Sequence, residues 1–529
     1  MKNVKADIEN GEVFLGLELG STRIKAVLTD AANKVLAAGG RDWENRLENG
    51  VWTYSMDEVW AGAAGCYRKL KEDVRAKYGV TLKKIKCIGV SAMMHGYLVF
   101  DKDDKLLAPF RTWRNTMTER AAAELSALFG FNIPQRWSIA HLYQAVLNKE
   151  THVKDISSLN TLAGYVHYIL TGNRVLGAGD ASGMFPLDEN CRYNAAMLEK
   201  FDKAAAGFPW KIGDILPKVL PAGANGGFLT ARGARLLDVD GDLESGCMLC
   251  PPEGDAGTGM AATNSGAAGT GNVSAGTSVF AILVLKGGLK SAHPEIDVAA
   301  TPAGKPVAMV HCNNCTSEIN AWAGLFGEFS QSINGGITKD DIFSLLYGKA
   351  LEGRADGGGL LPCNYLSGEH ITGFGRGVPL FLRKEGCSFT LANFMRAQLY
   401  SAAASLALGM EILKGENVVI SKICGHGGFF KSAAGGRVMA AALNTPVSVT
   451  AAAGEGGAWG AALLAAFASE RASAPNGKGM TLEQFLDNAF KGAETVTFEP
   501  KQEDVKGFET FLNDYKKLLA VEKTAVGLF

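Results

Sequence analysis

Four polar residues near the amino terminus could bind a phosphate group. Glu18, Ser21, Thr22 and Arg23 surround a turn between two segments, FLGLEL and RIKAVLTD, whose apolar alternation and β-branched residues are typical of strands. The N–H groups of such a turn can face an anion, and a carboxylate beside them could orient hydrated Mg²⁺ on ATP. Any polar β-turn would have a similar composition, so both interpretations are open at this point.

A second segment, residues 267–285, repeats the order of strand, turn and strand in AAGTGNVSAGTSVFAILVL. Its turn contains Gly276, Thr277 and Ser278, which leave the backbone accessible and add two hydroxyl groups. Such a turn can bring amide groups close to phosphate, although a flexible connector would look the same. Two turns of this kind on opposite sides of a cleft could hold a polyphosphate between them.

A third glycine-containing turn, CGHGGFFKSAAGG at 424–436, follows an apolar strand and precedes a helical pattern. Gly427 and Gly428 would let an adenosine group approach the backbone, and Lys431 follows three residues later. We take these three residues as candidate nucleotide-binding residues. The alternative is a simple turn between a strand and a helix.

Asp255 is an acid among small residues, in PEGDAGTGM after an apolar strand. An aspartate in this place can reach into a cleft, where partial removal from water would help it accept a proton from a hydroxyl group. Aspartate is also favoured as the N-cap of a helix, and a helical pattern starts here. The spacing alone favours the helix cap over the role of proton acceptor.

The elements that must position these residues alternate between strands and helices, as in α/β proteins. Residues 83–101 predict strand, turn and strand, and a helix follows Ser55, which forms a capping-box pattern with Glu58. The second half predicts helices near 317–331, 339–351, 388–414, 431–443 and 455–470 and strands at 417–424 and 446–450. Because both halves open with a hairpin, we infer an internal duplication with a ligand-binding cleft between the halves.

The composition excludes several classes of partner. The chain is 47% hydrophobic and 20% charged, and its net charge of −1 gives no electrostatic reason to bind nucleic acid or anionic lipid. Its first residues lack the apolar segment of a signal peptide, and no later run approaches the roughly 18 apolar residues of a membrane helix. We therefore predict a cytoplasmic protein with no nucleic-acid or membrane partner.

Taken in order, the motifs resemble those of the FGGY carbohydrate kinases, a family with the actin-like ATPase fold. GLELGSTRIKAVLTD resembles the family's first phosphate motif, SAMMHG at 91–96 the sugar-binding turn of xylulokinases, and GDASGMFPLD at 179–188 their Asp-Ala-Ser-Gly segment. GTGNVSAGTSV resembles the second phosphate motif, NYLSGEH the Tyr-Leu-Ser-Gly-Glu-Arg motif, and GGFFKSAAGGRVMAAALNTPV with GEGGAWGAALLAA the adenosine motif and closing helix. The resemblance covers most of the chain.

The resemblance implies an α/β fold of two actin-like, ribonuclease H-like domains with a duplicated core and an interdomain cleft. Residues 1–263 would form an amino-terminal domain for sugar binding and catalysis. Residues 264–529 would form a carboxy-terminal nucleotide-binding domain. A homodimer is the default expectation for a soluble enzyme.

The resemblance also implies ATP-dependent phosphorylation of a sugar, a reaction that depends on positioning and charge neutralisation. Asp255 would accept the proton of the attacking hydroxyl group, and Glu18 would orient Mg²⁺. The sugar-binding residues would be Met94, His95, Trp113 and Asp255. The ATP-binding residues would be Ser21, Thr22, Arg23, Gly276, Thr277, Ser278, Gly427, Gly428 and Lys431. A turn histidine and a core tryptophan are the alternatives for His95 and Trp113.

Departures from the family pattern bear on metal and sugar binding. Glu18 stands where the family has Asp, Met93 where xylulokinases have Gln, and TWRNTMT at 112–118 places Arg114 after Trp113 in place of their Trp-Asn-Asp-x-Arg-Thr. His370 stands where the family has Arg.

We expect a ketopentose such as xylulose as the acceptor. Ribulose, fuculose, rhamnulose, gluconate and glycerol are alternatives within the kinase interpretation. A non-catalytic nucleotide-binding regulatory protein of the same fold is the rival from another class. A panel of sugars tested for stimulated ADP release distinguishes the two classes.

Overall fold

The computed structural model describes residues 4–333, 336–450, 456–474 and 479–529, which form two compact units. Unit 1 comprises Met1–Gly266, Val298–Val307 and Ala453–Gly492. Unit 2 comprises Ala267–Asp297, Ala308–Ala452 and Ala493–Phe529. The chain thus returns to unit 1 twice after residue 266. The predicted division into continuous domains 1–263 and 264–529 does not contain these two returns. The assignment of sugar and nucleotide binding to the two halves stays a prediction.

Strands and helices alternate along the whole described chain. The strands are β1 (Phe14–Leu19), β2 (Arg23–Thr29), β3 (Val35–Asp42), β4 (Arg46–Glu48), β5 (Val51–Thr53), β6 (Cys87–Ala92), β7 (Leu98–Phe100), β8 (Ser158–Asn160), β9 (Val175–Gly177), β10 (Lys218–Leu220), β11 (Gly227–Phe228), β12 (Met248–Leu249), β13 (Glu253–Gly254), β14 (Thr270–Ala275), β15 (Val279–Val284), β16 (Ile296–Ala300), β17 (Pro306–Cys312), β18 (Leu360–Cys363), β19 (Leu380–Arg383), β20 (Lys422–His426), β21 (Val447–Thr450) and β22 (Thr495–Phe498).

The helices are α1 (Val4–Asn10), α2 (Met56–Tyr78), α3 (Glu119–Phe129), α4 (Ser138–Leu147), α5 (Leu162–Thr171), α6 (Ala178–Ser182), α7 (Ala195–Ala204), α8 (Ile212–Ile215), α9 (Ala231–Leu237), α10 (Asp255–Ala262), α11 (Ser317–Ile333), α12 (Lys339–Ala350), α13 (Leu391–Gly415), α14 (Ala433–Leu443), α15 (Gly456–Ser473), α16 (Leu482–Ala489) and α17 (Gln502–Leu528). Among the described residues, no helix combines the length and apolar character needed to cross a membrane. The predicted capping box is confirmed, because Ser55 and Glu58 bond reciprocally at the start of α2.

The main sheet of unit 1 has the order β11-β12-β6-β1-β2-β3, with β13 also paired to β6. β1 and β2 form the predicted antiparallel hairpin, whereas β6 runs parallel to both β1 and β13. In this register Ser91 lies opposite Glu18 on one side and Glu253 on the other. The carboxyl ends of β1, β6 and β13 therefore lie at one edge of the sheet. The residues that follow these strands start from that edge.

The two faces of β1 are covered by different helices. Leu15, Leu17 and Leu19 are fully buried in a core with residues of α2, whereas Phe14 packs in a cluster with α15. Glu18 lies on the same face as Phe14, because side chains alternate along a strand. The face that carries the predicted metal ligand is thus the face that α15 covers.

The main sheet of unit 2 has the order β16-β17-β15-β14-β20-β21-β22. β14 and β15 form the second predicted hairpin, and β20 runs parallel to β14, as β6 does to β1 in unit 1. β20 begins at Lys422, so the predicted strand at 417–424 is displaced towards the glycine turn. A hydrophobic core surrounds α13, whose residues 393–407 are all buried.

Candidate active site

Glu18 connects the end of β1 to the amino-terminal turn of α15. Its Oε2 atom accepts a hydrogen bond from the backbone N–H of Ala458 at 3.2 Å. A Cβ atom on Gly457 would lie 2.5 Å from Oε1, so the carboxylate can pack here only against a glycine. Partial burial raises the pKa of Glu18, as does the negative charge of Asp255, whereas Lys25 and the Ala458 N–H lower it.

Lys25 is a polar residue of the first hairpin that is not among our predicted site residues but lies beside Glu18. It lies opposite Glu18 in the antiparallel register of the first hairpin. Its Nζ atom is 3.7 Å from the position that a Cβ atom on Gly456 would take. The signal was present, because residues at equal distances from a hairpin turn face each other across the two strands.

Asp255 is the first residue of α10 and follows β13 directly. The N-cap position belongs to Gly254, and the Asp255 carboxylate accepts the N–H of the adjacent Ala256 at 2.9 Å, so its side chain does not form the usual cap hydrogen bond. The residue is exposed to solvent, yet the protein atoms that surround its carboxylate raise its pKa by partial desolvation. The N–H groups of Met94 and Ala256 and the charge of Arg136 oppose this shift.

Two further acids lie buried near Asp255. Asp180 is fully buried, and its Oδ2 atom accepts a hydrogen bond from the Thr161 hydroxyl group at 2.6 Å. Burial raises the pKa of Asp180 to about 7. Glu253 accepts the N–H groups of Gly179 at 3.2 Å and of Asp180 at 2.9 Å, and burial together with the Asp180 carboxyl raises its pKa to about 8. Sequence patterns could not identify this pair, because its members are 73 residues apart.

A pair of hydroxyl groups lies in the same region. Ser91, on β6, and Thr258, on α10, are fully buried, and their oxygen atoms are 2.8 Å apart. A Cβ atom on Gly457 would lie 3.0 Å from the Thr258 Oγ1 atom and 2.5 Å from Oε1 of Glu18. The hydroxyl groups of Ser91 and Thr258 therefore lie close to the carboxylate of Glu18.

Met94 and His95 follow β6 at the same sheet edge and are both buried. His95 has a φ of 67°, which is unusual for a residue with a side chain, and its Nδ1 atom is 3.0 Å from the carbonyl oxygen of Gly183. Because a carbonyl oxygen only accepts, Nδ1 carries the hydrogen. The imidazole ring stacks on Trp137, with ring centroids 6.2 Å apart. The side chain is thus oriented by its surroundings, and its role in sugar binding stays a prediction.

Trp113 lies beside the turn between β1 and β2, which is predicted to bind phosphate and which we call the first phosphate turn. Its indole Nε1 donates a hydrogen bond to the Ser21 hydroxyl oxygen at 3.0 Å, and 40% of the residue is exposed. The structure therefore brings together a predicted sugar-binding residue and a predicted ATP-binding residue. Thr22 is exposed, whereas the guanidinium group of Arg23 lies 3.6 Å from Asp42.

Within unit 2, the second and third glycine-containing turns lie at the same edge of the sheet. Ser274 on β14 lies opposite His426 on β20, so the two turns begin at the same sheet edge. Gly427 has a φ of 99°, and a Cβ atom there would lie 2.5 Å from the Ala275 carbonyl oxygen, so this position requires glycine. Gly428 has no other atom within 4 Å of its Cβ position, and both glycines are exposed.

The turn from Gly276 to Ser278 is fixed by the loop that precedes α11. The Gly276 carbonyl oxygen accepts both the N–H of Thr316 at 3.0 Å and its hydroxyl group at 2.7 Å. The Thr277 carbonyl oxygen accepts the N–H of Cys315 at 3.0 Å. Lys431 is exposed at the end of the 3₁₀ segment Gly428–Lys431.

The site residues fit one mode of magnesium binding. In residues 4–333, 336–450, 456–474 and 479–529, no group of three or more His, Cys, Asp or Glu side chains could hold a metal ion by itself. Mg²⁺ on a nucleotide is commonly held by one or two carboxylates together with phosphate oxygens, and Glu18 and Asp255 are close enough to influence each other's charge. The donor set therefore suits Mg²⁺ carried by a nucleotide, and Glu18 stays the predicted ligand.

The chain is similar to known proteins along most of its length. Residues 13–240 match the profile of the FGGY family of carbohydrate kinases, N-terminal domain, and residues 271–469 match that of its C-terminal domain. The xylulose kinase of Haemophilus influenzae is 23% identical over 528 residues, covering 96% of this chain and 99% of that protein.

Solved structures share the fold of this chain. A xylulose kinase from Brucella ovis superposes with a TM-score of 0.78 at 19% identity, covering 97% of this chain and 100% of its own. A gluconate kinase from Lactobacillus acidophilus reaches a TM-score of 0.77 at 16% identity, covering 96% and 98%. These similarities confirm the predicted α/β fold with two actin-like domains.

Proposed function

This chain belongs to the FGGY family of carbohydrate kinases, which phosphorylate sugars at the expense of ATP, and we propose that its acceptor is a ketopentose such as xylulose. The observation that carries the mechanism is the position of Asp255, an exposed acid that begins α10 at the sheet edge where Glu18, Met94 and His95 also lie. A carboxylate in such a position can accept a proton from a sugar hydroxyl group.

The relatives named as xylulose kinases support the choice of sugar. The fold alone does not select it, because a gluconate kinase superposes almost equally well. We therefore rank xylulose first and keep ribulose, fuculose, rhamnulose, gluconate and glycerol as competing acceptors.

The residues of unit 1 would divide the work as follows. Asp255 accepts the proton of the attacking hydroxyl group, and its raised pKa makes it a better base than an ordinary aspartate. Met94 and His95 contact the sugar, and Trp113 presents the exposed part of its ring to the sugar while its N–H group holds Ser21. Glu18 would hold Mg²⁺, which neutralises phosphate charge when bound.

The residues of unit 2 would bind the nucleotide. The N–H and hydroxyl groups of Gly276, Thr277 and Ser278 suit phosphate oxygens. The open space at Gly428 and the close backbone approach at Gly427 suit a nucleoside, and Lys431 adds a positive charge at the same turn.

A substrate panel tests this proposal. The purified protein is given ATP and Mg²⁺ with each candidate sugar, and ADP release is measured. We expect xylulose to stimulate ADP release most strongly, with the largest kcat/KM. Stronger stimulation by another sugar would replace the acceptor and leave the kinase assignment intact. If no sugar or polyol stimulates release, a non-catalytic nucleotide-binding protein is favoured.

Asp255→Asn tests the proposed base. Asparagine has nearly the same shape but cannot accept the proton, so we expect sugar-dependent ADP formation to fall by about two to four orders of magnitude. Binding of MgADP, measured by calorimetry, should be retained. Turnover close to that of the wild type would contradict the assignment of Asp255.

A further inference from the structure

The first phosphate turn is bonded to two aromatic side chains that the proposed mechanism does not use. The indole Nε1 of Trp43 donates to the carbonyl oxygen of Gly20 at 2.6 Å, and the hydroxyl group of Tyr54 donates to the carbonyl oxygen of Ser21. The two rings stack on each other, with centroids 4.2 Å apart and planes inclined by 26°. We call Trp43 and Tyr54 the aromatic pair.

The aromatic pair determines where the N–H groups of the turn point. In a trans peptide the N–H and C=O groups point in opposite directions within one plane, and the described residues contain no cis peptide bond. Because the Gly20 and Ser21 carbonyl groups both point to the aromatic pair, the N–H groups of Ser21 and Thr22 point away from it. In the described part of the chain, these two N–H groups have no hydrogen-bond acceptor.

The Ser21 hydroxyl group is constrained in a compatible way. Its oxygen accepts the indole N–H of Trp113 at 3.0 Å. A hydroxyl group that accepts one hydrogen bond keeps its own hydrogen for donation. The turn thus offers three neighbouring donors, two amides and one hydroxyl, and successive donors of this kind form a concave site for an anion.

We propose that Trp43 and Tyr54 are positioning residues, which hold two successive peptide planes so that the Ser21 and Thr22 N–H groups face a phosphate group of the bound nucleotide. The inference rests on the proposed function. It assigns a role to two residues that lie outside the resembling motifs and have no part in proton transfer or metal binding.

The second turn shows the same arrangement with different donors. There the carbonyl groups of Gly276 and Thr277 are held by N–H groups of Thr316 and Cys315, so the N–H groups of Thr277 and Ser278 point away from these donors. Anchoring through successive carbonyl groups is therefore present in both turns. Only in the first turn are all these donors side-chain groups, which single substitutions can remove.

The test removes one donor at a time and keeps an aromatic ring. Tyr54→Phe and Trp43→Phe are compared with two matched controls in unit 1. In Tyr78→Phe the lost phenol bonds the Leu36 carbonyl oxygen at 3.1 Å, and in Trp210→Phe the lost indole bonds the Val153 carbonyl oxygen at 2.7 Å. Calorimetry with MgADP gives the Kd, and steady-state kinetics give separate KM values for ATP and for the best sugar.

We expect Tyr54→Phe and Trp43→Phe each to raise the Kd for MgADP and the KM for ATP about three- to tenfold, as expected for one lost anchoring hydrogen bond. The KM for the sugar should stay at the wild-type value, and any decrease in Tm should be no larger than in the two controls, which lose a comparable hydrogen bond but should keep wild-type MgADP affinity and KM values. Unchanged MgADP affinity in both variants overturns the inference. A parallel rise of both KM values with a lower Tm also overturns it, because that pattern indicates a purely structural role.

The same measurements separate this inference from the proposed function. If the wild type binds no MgADP and no sugar stimulates ADP release, the proposed function fails and the inference fails with it. If the wild type is an active kinase and both variants match it, only the inference fails.

Discussion

Glu18 uses its two carboxylate oxygens differently. Oε2 accepts the N–H of Ala458 at the start of α15, where the partial positive charge of a helix terminus favours an anion. Within the described residues, Oε1 accepts no hydrogen bond. If Glu18 holds Mg²⁺ as proposed, Oε2 can bond to the helix while Oε1 faces a water molecule of the metal ion. A glutamate reaches one methylene further than an aspartate, which suits it to a bond with a neighbouring helix.

Two substitutions at Glu18 separate these roles. Glu18→Gln keeps an oxygen that can accept the Ala458 N–H but removes the negative charge. We therefore expect kcat to fall at least about tenfold and the Mg²⁺ concentration needed for half-maximal activity to rise, while the Tm stays nearly unchanged. Glu18→Ala removes both interactions and should also lower stability by about 1–3 kcal/mol. Magnesium titrations of activity and thermal unfolding measure the two effects. A fully active Glu18→Gln enzyme would contradict the metal-binding role.

The buried pair Asp180 and Glu253 makes stability depend on pH. Their folded-state pKa values, about 7 and about 8, exceed the ordinary values of 3.8 and 4.5. The folded state therefore holds protons that the unfolded state has released. This contribution to stability is complete below about pH 4 and is lost as the pH rises through 7 and 8.

Asp180→Asn tests this dependence, because asparagine resembles the protonated acid and cannot ionise. We expect the Tm of the variant, relative to the wild type, to rise between pH 5 and about pH 8 and to level off at higher pH, where both carboxyls are ionised in the folded state as well. Asp214→Asn, which changes an exposed aspartate of the same unit, is the control and should give a constant difference. Parallel curves for the wild type and Asp180→Asn would show that the pair does not titrate in this range.

At the level of elements, the contact between α15 and the main sheet of unit 1 depends on glycine. A Cβ atom on Gly16 of β1 would lie 1.8 Å from the Ala458 carbonyl oxygen, and one on Gly89 of β6 would lie 2.1 Å from that of Ala461. Both distances are to backbone atoms, which cannot rotate away as a side chain can. The two glycines therefore let the backbone of α15 lie directly against the strands.

Gly16→Ala and Gly89→Ala should displace α15. We expect each to cost about 1–3 kcal/mol or more of stability through overpacking, and to lower activity because α15 carries the Ala458 N–H that binds Glu18. Thermal unfolding and kcat are the measurements. The control is Gly348→Ala in α12, where no atom lies within 4 Å of the Cβ position, and there a small gain in stability is expected. Wild-type stability in both strand variants would refute the close contact.

Strand and helix positions were largely predictable, whereas their partners were not. Apolar alternation located both hairpins, and the order of helices and strands along the chain followed from the lengths of the apolar patterns. The helix predicted at 455–470 is α15, but nothing in its composition indicates which sheet it covers. By contrast, Lys25 could have been identified from the sequence, because the register of the hairpin places it opposite Glu18. The bonds of Trp43 and Tyr54 to the turn depend on loop conformations that periodicity does not encode.

At the scale of the whole molecule, the chain completes unit 1 only after most of unit 2. The segments Val298–Val307 and Ala453–Gly492 return to unit 1, and the second of these contains α15 and α16. The motifs that carry the family resemblance appear in sequence order, but the sheet edge with Glu18 and Asp255 is finished by residues near 458. Sequence order alone suggested two consecutive halves, because each half begins with its own hairpin.

The separation of Glu18 and Ala458 along the sequence affects how the protein folds during synthesis. They are separated by 440 positions, so a ribosome adding roughly 5–20 residues per second needs about 20–90 s between them. Throughout this interval the face of β1 that carries Phe14 and Gly16 lacks its covering helix. The strands of this sheet are complete at Gly254, but one face of it stays uncovered for most of the synthesis, and we expect the yield of folded protein to depend on elongation rate and on chaperone supply.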